Sequence, residues 1–288
     1  TSTDGIYVDG RIVRKADASG PKSASMVLQN PTVDFAVFEV ARGGILREGL
    51  GYQRNDVAVV LNVTGDHLGL GGIHSVKQLA EVKRVIVEAV PRDGVAVLNA
   101  DDPLVAAMAS RTQARVSTFG EAATADVRIE GLHLDDAGRP AFALVTSEAS
   151  ADVRLQLLGE HQASNAAAAA TVGLALGLGL DQVATALSAA TIASRWRMET
   201  DLRSDGVLVV NDAYNANPDS MRAALKTLAS LGRGRGARTI AVLGEMRELG
   251  ESSRDEHDAV GRLAVRLDIA QLLVVGEGAR AIHLGACL

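Results

Sequence analysis

Apolar residues recur along this chain in two periods, and the switching between them sets the expected architecture. Val33–Val40 (Val-Asp-Phe-Ala-Val-Phe-Glu-Val), Asp56–Val63 and Val95–Leu98 are short runs rich in β-branched residues, and they read as buried strands. Val76–Val90 has the helical period instead, with Val76, Leu79, Val82, Val85 and Ile86 on one face. A helix, a strand and a further helix are expected after Asn99-Ala-Asp-Asp-Pro103. Strands alternating with helices predict an α/β fold with a parallel, doubly wound sheet. Ahead of it, Ile6–Val8 and Arg11–Val13 read as strand pieces around the turn Asp9-Gly10, and Ser23–Gln29 as a short helix.

The pattern changes between residues 124 and 158. Val127–Ile129, Ala141–Val145 and Val153–Leu157 alternate and are split by Asp135-Asp-Ala-Gly138, which predicts a small antiparallel ribbon inserted into the α/β layer. Gly159–Gly179 is Ala-rich and helical, and Asp181 is placed as the cap of another helix ending near Ala190. After Arg195-Trp-Arg197 a smaller, Rossmann-like α/β unit is expected, with strands near 207–211, 239–243 and 271–275. The boundary falls near Met198, giving a central domain over residues 1–197 and a C-terminal domain over 198–288.

Composition narrows the picture. With 47% hydrophobic but 3% aromatic residues, the core must be built from Ala, Val and Leu. The net charge is -6 and the Lys and Arg residues are scattered, which argues against a nucleic-acid footprint. A single cysteine, Cys287, excludes an intrachain disulfide and fits a reducing cytoplasm. No apolar run reaches the ~18 residues of a membrane helix, so no membrane insertion is expected.

Chemistry-bearing residues collect where strands end. Leu208–Val210 is a short strand that runs into Asn211, Asp212, Tyr214 and Asn215. Asn217 is a good N-cap, Pro218 suits the first helical position, and Asp219 suits the positive helix end. Polar groups at a strand's carboxyl end, facing a helix N-terminus, are where α/β sheets hold nucleotides or anions; a plain capped turn is the alternative. Glu39 and His67 also end predicted strands, and a hard cation such as Mg²⁺ takes carboxylate oxygens with an occasional imidazole. For Glu39 an ion pair with Arg42 or Arg47 is the competing reading; His257 reads as a surface helix position. Gly276-Glu-Gly-Ala-Arg-Ala281 follows a strand and resembles a dinucleotide fingerprint, a weak motif by itself.

Longer motifs carry a resemblance. Asn211-Asp-Ala-Tyr-Asn-Ala-Asn-Pro-Asp-Ser-Met221 and Leu243-Gly-Glu-Met-Arg-Glu-Leu-Gly250 resemble signatures of MurF-type Mur ligases, over residues ~95–288. Phe38-Glu-Val-Ala-Arg-Gly-Gly-Ile-Leu-Arg-Glu-Gly-Leu50 and Val60-Leu-Asn-Val-Thr-Gly-Asp-His-Leu-Gly69 resemble the Mur-ligase-like module of cyanophycin synthetase, over residues 1 to ~90. The segment Asp93–Ala107 suits either family.

The resemblance implies an ADP-forming, amide-bond-forming ligase that uses ATP and Mg²⁺ and works through an acyl phosphate. It implies a central ATPase domain and a truncated C-terminal domain. If MurF-like, the partners are UDP-MurNAc-tripeptide and D-Ala-D-Ala in peptidoglycan synthesis; if cyanophycin-synthetase-like, they are cyanophycin and Arg. It implies Mg²⁺ ligands at Glu39 and His67, with Lys83, once carbamylated, as a third. In Gly159-Glu-His-Gln-Ala-Ser-Asn165 it implies adenine contact at Asn165 with support from His161. Arg197 is matched to a nucleotide contact, Asp212 to the ribose hydroxyls, and Tyr214, Asn215 and Asn217 to the cleft lining. The family's Gly-x-x-Gly-Lys-Thr/Ser phosphate loop is absent from the sequence, and both ends look cut. The chain alone is therefore expected not to turn over ATP. A non-catalytic nucleotide-binding fragment and a dehydrogenase are the other readings.

Overall fold

The computed structural model describes residues 1–65, 68–192 and 194–287. The chain opens on the antiparallel hairpin β1 (Ile6–Val8) and β2 (Arg11–Arg14). Its turn residues Asp9 and Gly10 both have positive φ, 50° and 71°, as a two-residue hairpin turn of this hand requires. Helices α1 (Pro21–Leu28) and α2 (Arg42–Glu48) follow.

The expected strand Val33–Val40 between them does not form. Thr1 N donates to Val37 O and Glu39 N donates to Thr1 O, the bonding of a single rung of a parallel ladder. The ladder goes no further among the described residues. Val33, Ala36 and Phe38 pack on Ile6, Ala18 and Val27, whereas Phe35 and Val37 are 65% and 70% exposed. The apolar run is real, but a strand needs a neighbour to satisfy its backbone.

Next come β3 (Val57–Val60), α3 (Val76–Glu88), β4 (Val95–Asn99) and the short α4 (Pro103–Ala106). Strands β5 (Arg115–Gly120), β6 (Val127–Leu134), β7 (Pro140–Val145) and β8 (Ser150–Arg154) complete one six-stranded sheet, ordered β3-β4-β5-β6-β7-β8. The first four strands run parallel and the last two pairings are antiparallel. Two expectations change here. The ribbon is not an insertion: β6 pairs with β5 at Phe119–Val127, so the hairpins extend the sheet itself. No helix separates β5 from β6; a tight turn does, held by Thr118 N and Oγ1 donating to Asp126 Oδ2.

Side chains of β4 alternate between two cores, as a strand's period of two dictates. Ala96 and Leu98 face α3 and α4, with Leu79, Val87 and Val105. Val95 and Val97 face α5 (His161–Ala175) and α6 (Leu180–Ala189), with Ala163, Ala167, Ala170 and Val183. The alanines of α5 let that helix lie close on the sheet, which is how a chain poor in aromatics fills its core. Asp181 lies in the first turn of α6, and Gly179 holds the N-cap position expected for it.

Beyond this layer, β9 (Glu199–Leu202), not foreseen, pairs antiparallel with β10 (Leu208–Asn211). The rest is α7 (Pro218–Arg235), β11 (Ile240–Leu243), α8 (Ser253–Arg266), β12 (Gln271–Val274) and α9 (Arg280–Ala286), with β11 and β12 parallel. Two glycines make the α8–α9 crossing possible. A Cβ on Gly261 would stand 1.9 Å from Ile282 O, and one on Gly285 2.2 Å from Asp258 O. Among the described residues no helix is long and apolar enough to cross a membrane.

Candidate nucleotide and metal site

An apolar seam organises the site. Leu158, Met198 and Leu231 are buried together, with Leu208, Val210 and Ala224 against them. Leu158 precedes the Gly159–Asn165 segment, Met198 follows Arg197, and Val210 lies two residues before Asp212. Burying this seam therefore brings three separate pieces of sequence to one place.

The turn at 196–198 is strained: Trp196 and Met198 have φ of 59° and 54°, costly for residues with a Cβ. Two cross-links hold it. Met198 N donates to Asp212 Oδ1 at 3.0 Å, and Tyr214 N donates to Trp196 O at 3.1 Å. The turn places the Arg197 guanidinium over the Tyr214 ring, 4.2 Å from its centroid, a cation–π contact. Burial pushes the Asp212 pKa above the ordinary aspartate range, opposed by the Met198 N–H and the Arg197 charge. Arg197, Asp212 and Tyr214 thus form one half-buried cluster with its positive group exposed. Asn215 is exposed beside them, and Asn217 Oδ1 accepts from Ser220 N at 2.8 Å in a capping box that starts α7. The capping read from the residues alone is therefore present at Asn217.

Gly159 is the hinge into α5. Its φ of 97° favours glycine, and a Cβ there would fall 2.7 Å from the His161 ring and 3.1 Å from Thr227 Oγ1 of α7. Surrounding protein lowers the His161 pKa below the usual imidazole value, with Glu160 opposing, although the residue as a whole keeps an exposed surface. Asn165 is exposed one turn into the helix, its Nδ2 donating to Gln162 Oε1 at 3.1 Å.

Glu39 is fixed by Thr3: Thr3 N donates to Oε2 at 2.8 Å and Thr3 Oγ1 at 3.3 Å. The next residue, Asp4, accepts from Ser194 Oγ at 2.5 Å, so the Glu39 region is tethered to the Arg197 turn. His67 lies outside the described residues. The start of its loop is pinned by three side chains: Asn99 Nδ2 donates to Leu61 O at 2.8 Å, Lys83 Nζ to Asn62 O at 3.0 Å, and Val63 N donates to Asp102 Oδ2 at 2.7 Å. Further on, Arg42 Nη1 donates to Leu70 O at 2.9 Å. Asp102 also caps α4, its Oδ1 accepting from Leu104 N and Val105 N. Sequence reasoning passed over Asn99 and Asp102 as support for this loop. The signal was present: a polar cluster at a strand's carboxyl end, with an Asp-Pro pair that marks a helix start. Among the described residues no cluster of three or more His, Cys, Asp or Glu stands ready for a metal.

The glycine fingerprint after β12 is occupied by protein. A Cβ on Gly278 would fall 2.3 Å from Glu245 Oε1, so the close approach this glycine permits is made by a carboxylate. An acidic group there disfavours a pyrophosphate.

A six-stranded sheet covered on both faces, followed by a smaller α/β layer that meets it at the Leu158–Met198–Leu231 seam, matches known proteins. The family model for the Mur ligase middle domain matches residues 5–173, and that for the Mur ligase glutamate ligase domain matches residues 196–286. The chain belongs to the Mur ligase family. It is 51% identical over 236 residues to the UDP-N-acetylmuramoyl-tripeptide–D-alanyl-D-alanine ligase of Mycobacterium tuberculosis, covering 81% of this chain and 46% of that protein. It is 58% identical over 119 residues to the cyanophycin synthetase of a Synechocystis species, covering 41% of this chain and 14% of that protein. The two shares exceed the whole chain, so the matches overlap rather than meet end to end. Among solved structures, MurF of Acinetobacter baumannii aligns with a TM-score of 0.72 at 31% identity, covering 81% of this chain and 49% of that one. MurF of Thermotoga maritima, in complex with ADP, aligns with a TM-score of 0.68 at 25% identity, covering 80% and 51%. The chain spans about half the length of these MurF proteins.

Proposed function

We propose that this chain is the nucleotide-handling part of an ATP-dependent carboxylate–amine ligase of the MurF type. Its reaction would add D-Ala-D-Ala to UDP-MurNAc-tripeptide in the cytoplasm. The division at residues 197 and 198 separates the two units that close on the nucleotide. The observation that carries this reading is the Arg197–Asp212–Tyr214 cluster, set by the Leu158–Met198–Val210 seam beside the start of α5.

The reaction joins a carboxylate to an amine by way of an acyl phosphate: the carboxylate takes the terminal phosphoryl group of ATP, and the amine then displaces phosphate. The residues present suit that chemistry. Asn165, an amide donor and acceptor on the first turn of α5, would read the adenine edge, with His161 shaping the same turn. Asp212 would accept from the ribose hydroxyls, for which its half-buried carboxylate must be ionised. Arg197, steadied on the Tyr214 ring, presents a guanidinium to the nucleotide, and Asn215 and Asn217 line the cleft beside it. Glu39 fits a hard cation, because its bonds from Thr3 are made through Oε2 and leave Oε1 to a metal. His67 and a carbamylated Lys83 would complete the Mg²⁺ donor set. A divalent cation held there would offset the charge that builds on the transferring phosphoryl group.

The 58% identity of one stretch to cyanophycin synthetase favours a second amine, arginine, added to aspartate side chains of the polymer. Both readings are separated by one assay on this chain extended to the length of its relatives. ADP release that requires D-Ala-D-Ala and UDP-MurNAc-tripeptide supports the first, and release that requires arginine and cyanophycin replaces it with the second. Release with neither pair overturns the ligase assignment.

A further inference from the structure

The residue that sequence placed on the surface of α8 is fully buried: His257 is 0% exposed. Both ring nitrogens are engaged. Met246 N lies 2.9 Å from Nε2 and Ser253 O lies 2.6 Å from Nδ1. A backbone N–H can only donate, so Nε2 accepts; a carbonyl can only accept, so Nδ1 carries the proton. The ring is a neutral bridge between α8 and the loop Gly244–Gly250 that follows β11.

The same loop is also anchored by buried side chains and by Ser252 Oγ donating to Leu249 O at 2.8 Å. Met246 and Leu249 plug into the core beneath it at 1% and 2% exposure, while Glu248 and Gly250 turn the backbone through φ of 61° and 60°. Its tip meets the glycine-rich loop of the central layer. A Cβ on Gly250 would lie 3.5 Å from Leu68 O, and one on Gly69 3.9 Å from the Gly250 Cα, so the two backbones face each other with room for about one carbon between them. The Leu68 side has its own internal bond, Gly69 N donating to Ile73 O at 2.7 Å.

We infer that His257 is a positioning residue: by fixing Met246 it holds the Gly244–Gly250 loop against Leu68–Gly69, and so couples the C-terminal layer to the glycine-rich loop of the central one. The coupling concerns how the two layers are held and stands apart from the identity of any ligand.

Residue-resolved amide hydrogen exchange on this chain tests it. His257→Leu removes the acceptor, whereas the carbonyl of His257→Gln can replace it. The expected result is exchange at least tenfold faster at both Met246 and Gly69 in the Leu variant, protection regained at both in the Gln variant, and Val97 in β4 unchanged throughout. Faster exchange at Met246 with Gly69 unmoved would overturn the coupling, and no change at Met246 would overturn the role of His257. If His257→Leu does not fold, the decision passes to Gly250→Val, which leaves His257 intact. Valine is strained at this φ of 60°, and its γ-carbons reach beyond a Cβ position already 3.5 Å from Leu68 O; this should expose Gly69 while Met246 stays protected, and an unmoved Gly69 would sink the inference.

Discussion

Val33–Val40 and Val95–Leu98 carry the same signal, a short run of β-branched residues, and they end in opposite states. The second becomes β4, paired on both sides by β3 and β5 and covered on both faces by helices, with Ala96, Val97 and Leu98 at 0% exposure. The first forms no strand, with bends at Asp34 and Phe35, a single rung bonded to Thr1, and Val37 at 70% exposure. Apolar pattern says which segments would gain from burial. Whether they are buried depends on neighbours that the segment itself does not encode. The difference reaches the site: Asn99 and Asp102, at the end of β4, stand on a rigid support, whereas Glu39 takes its position from Thr1 and Thr3.

The largest effect that would break this contrast is a charge in each segment. Val97→Asp buries an unpaired carboxylate and should cost more than about 4 kcal/mol, leaving no cooperative thermal transition. Val37→Asp should change stability by no more than about 0.5 kcal/mol. Comparable losses in denaturant titrations would show that Val33–Val40 is as buried in solution as β4.

Overpacking comes next and asks whether the C-terminal layer is as tightly set as the central one. Gly261→Val should lower stability by about 1–3 kcal/mol in the same titration, because its Cβ meets Ile282 O with no room to turn away. A neutral result would mean that α9 moves freely on α8.

Asp102→Ala sharpens the contrast at the site. It removes the α4 cap and the acceptor for Val63 N, for an expected loss of about 1–2 kcal/mol. Faster amide exchange should appear at Val63 but not at Val97.

The smallest effect concerns pH. The Asp212 pKa is raised by burial, so the folded state holds its proton to a higher pH than the unfolded state does. Through the window between those two values the folded state binds more protons, and stability falls as pH rises through it. Asp212→Asn should flatten this part of the stability–pH curve. A curve of unchanged slope would remove desolvation as the cause of the shift.

Much of the fold was legible because it depends on local signals. The period of α3, the Asp9-Gly10 turn and the Asn217-Pro218 helix start are each written within a few residues. What was not legible depends on contacts between distant residues. β9 forms because β10 is opposite it, the 127–154 hairpins join the sheet through Phe119–Val127, and the burial of His257 follows from the loop beyond β11. The candidate site divides in the same way. Arg197, Asp212 and Tyr214 were found from motifs, and the structure brings them into contact. Asp102, Asn99 and the Asp4–Ser194 bond, which hold the surrounding loops, join residues up to 190 positions apart and have no local spelling.

Calorimetric titration of ADP with Mg²⁺ into the unaltered chain, Arg197→Ala and Asp212→Asn would decide whether the junction of the two layers binds nucleotide. Saturable binding by the unaltered chain is expected, weakened at least tenfold, or about 1.4 kcal/mol, by each substitution. Equal affinity in all three folded proteins, or no binding by the unaltered chain, would contradict a nucleotide site built on Arg197 and Asp212.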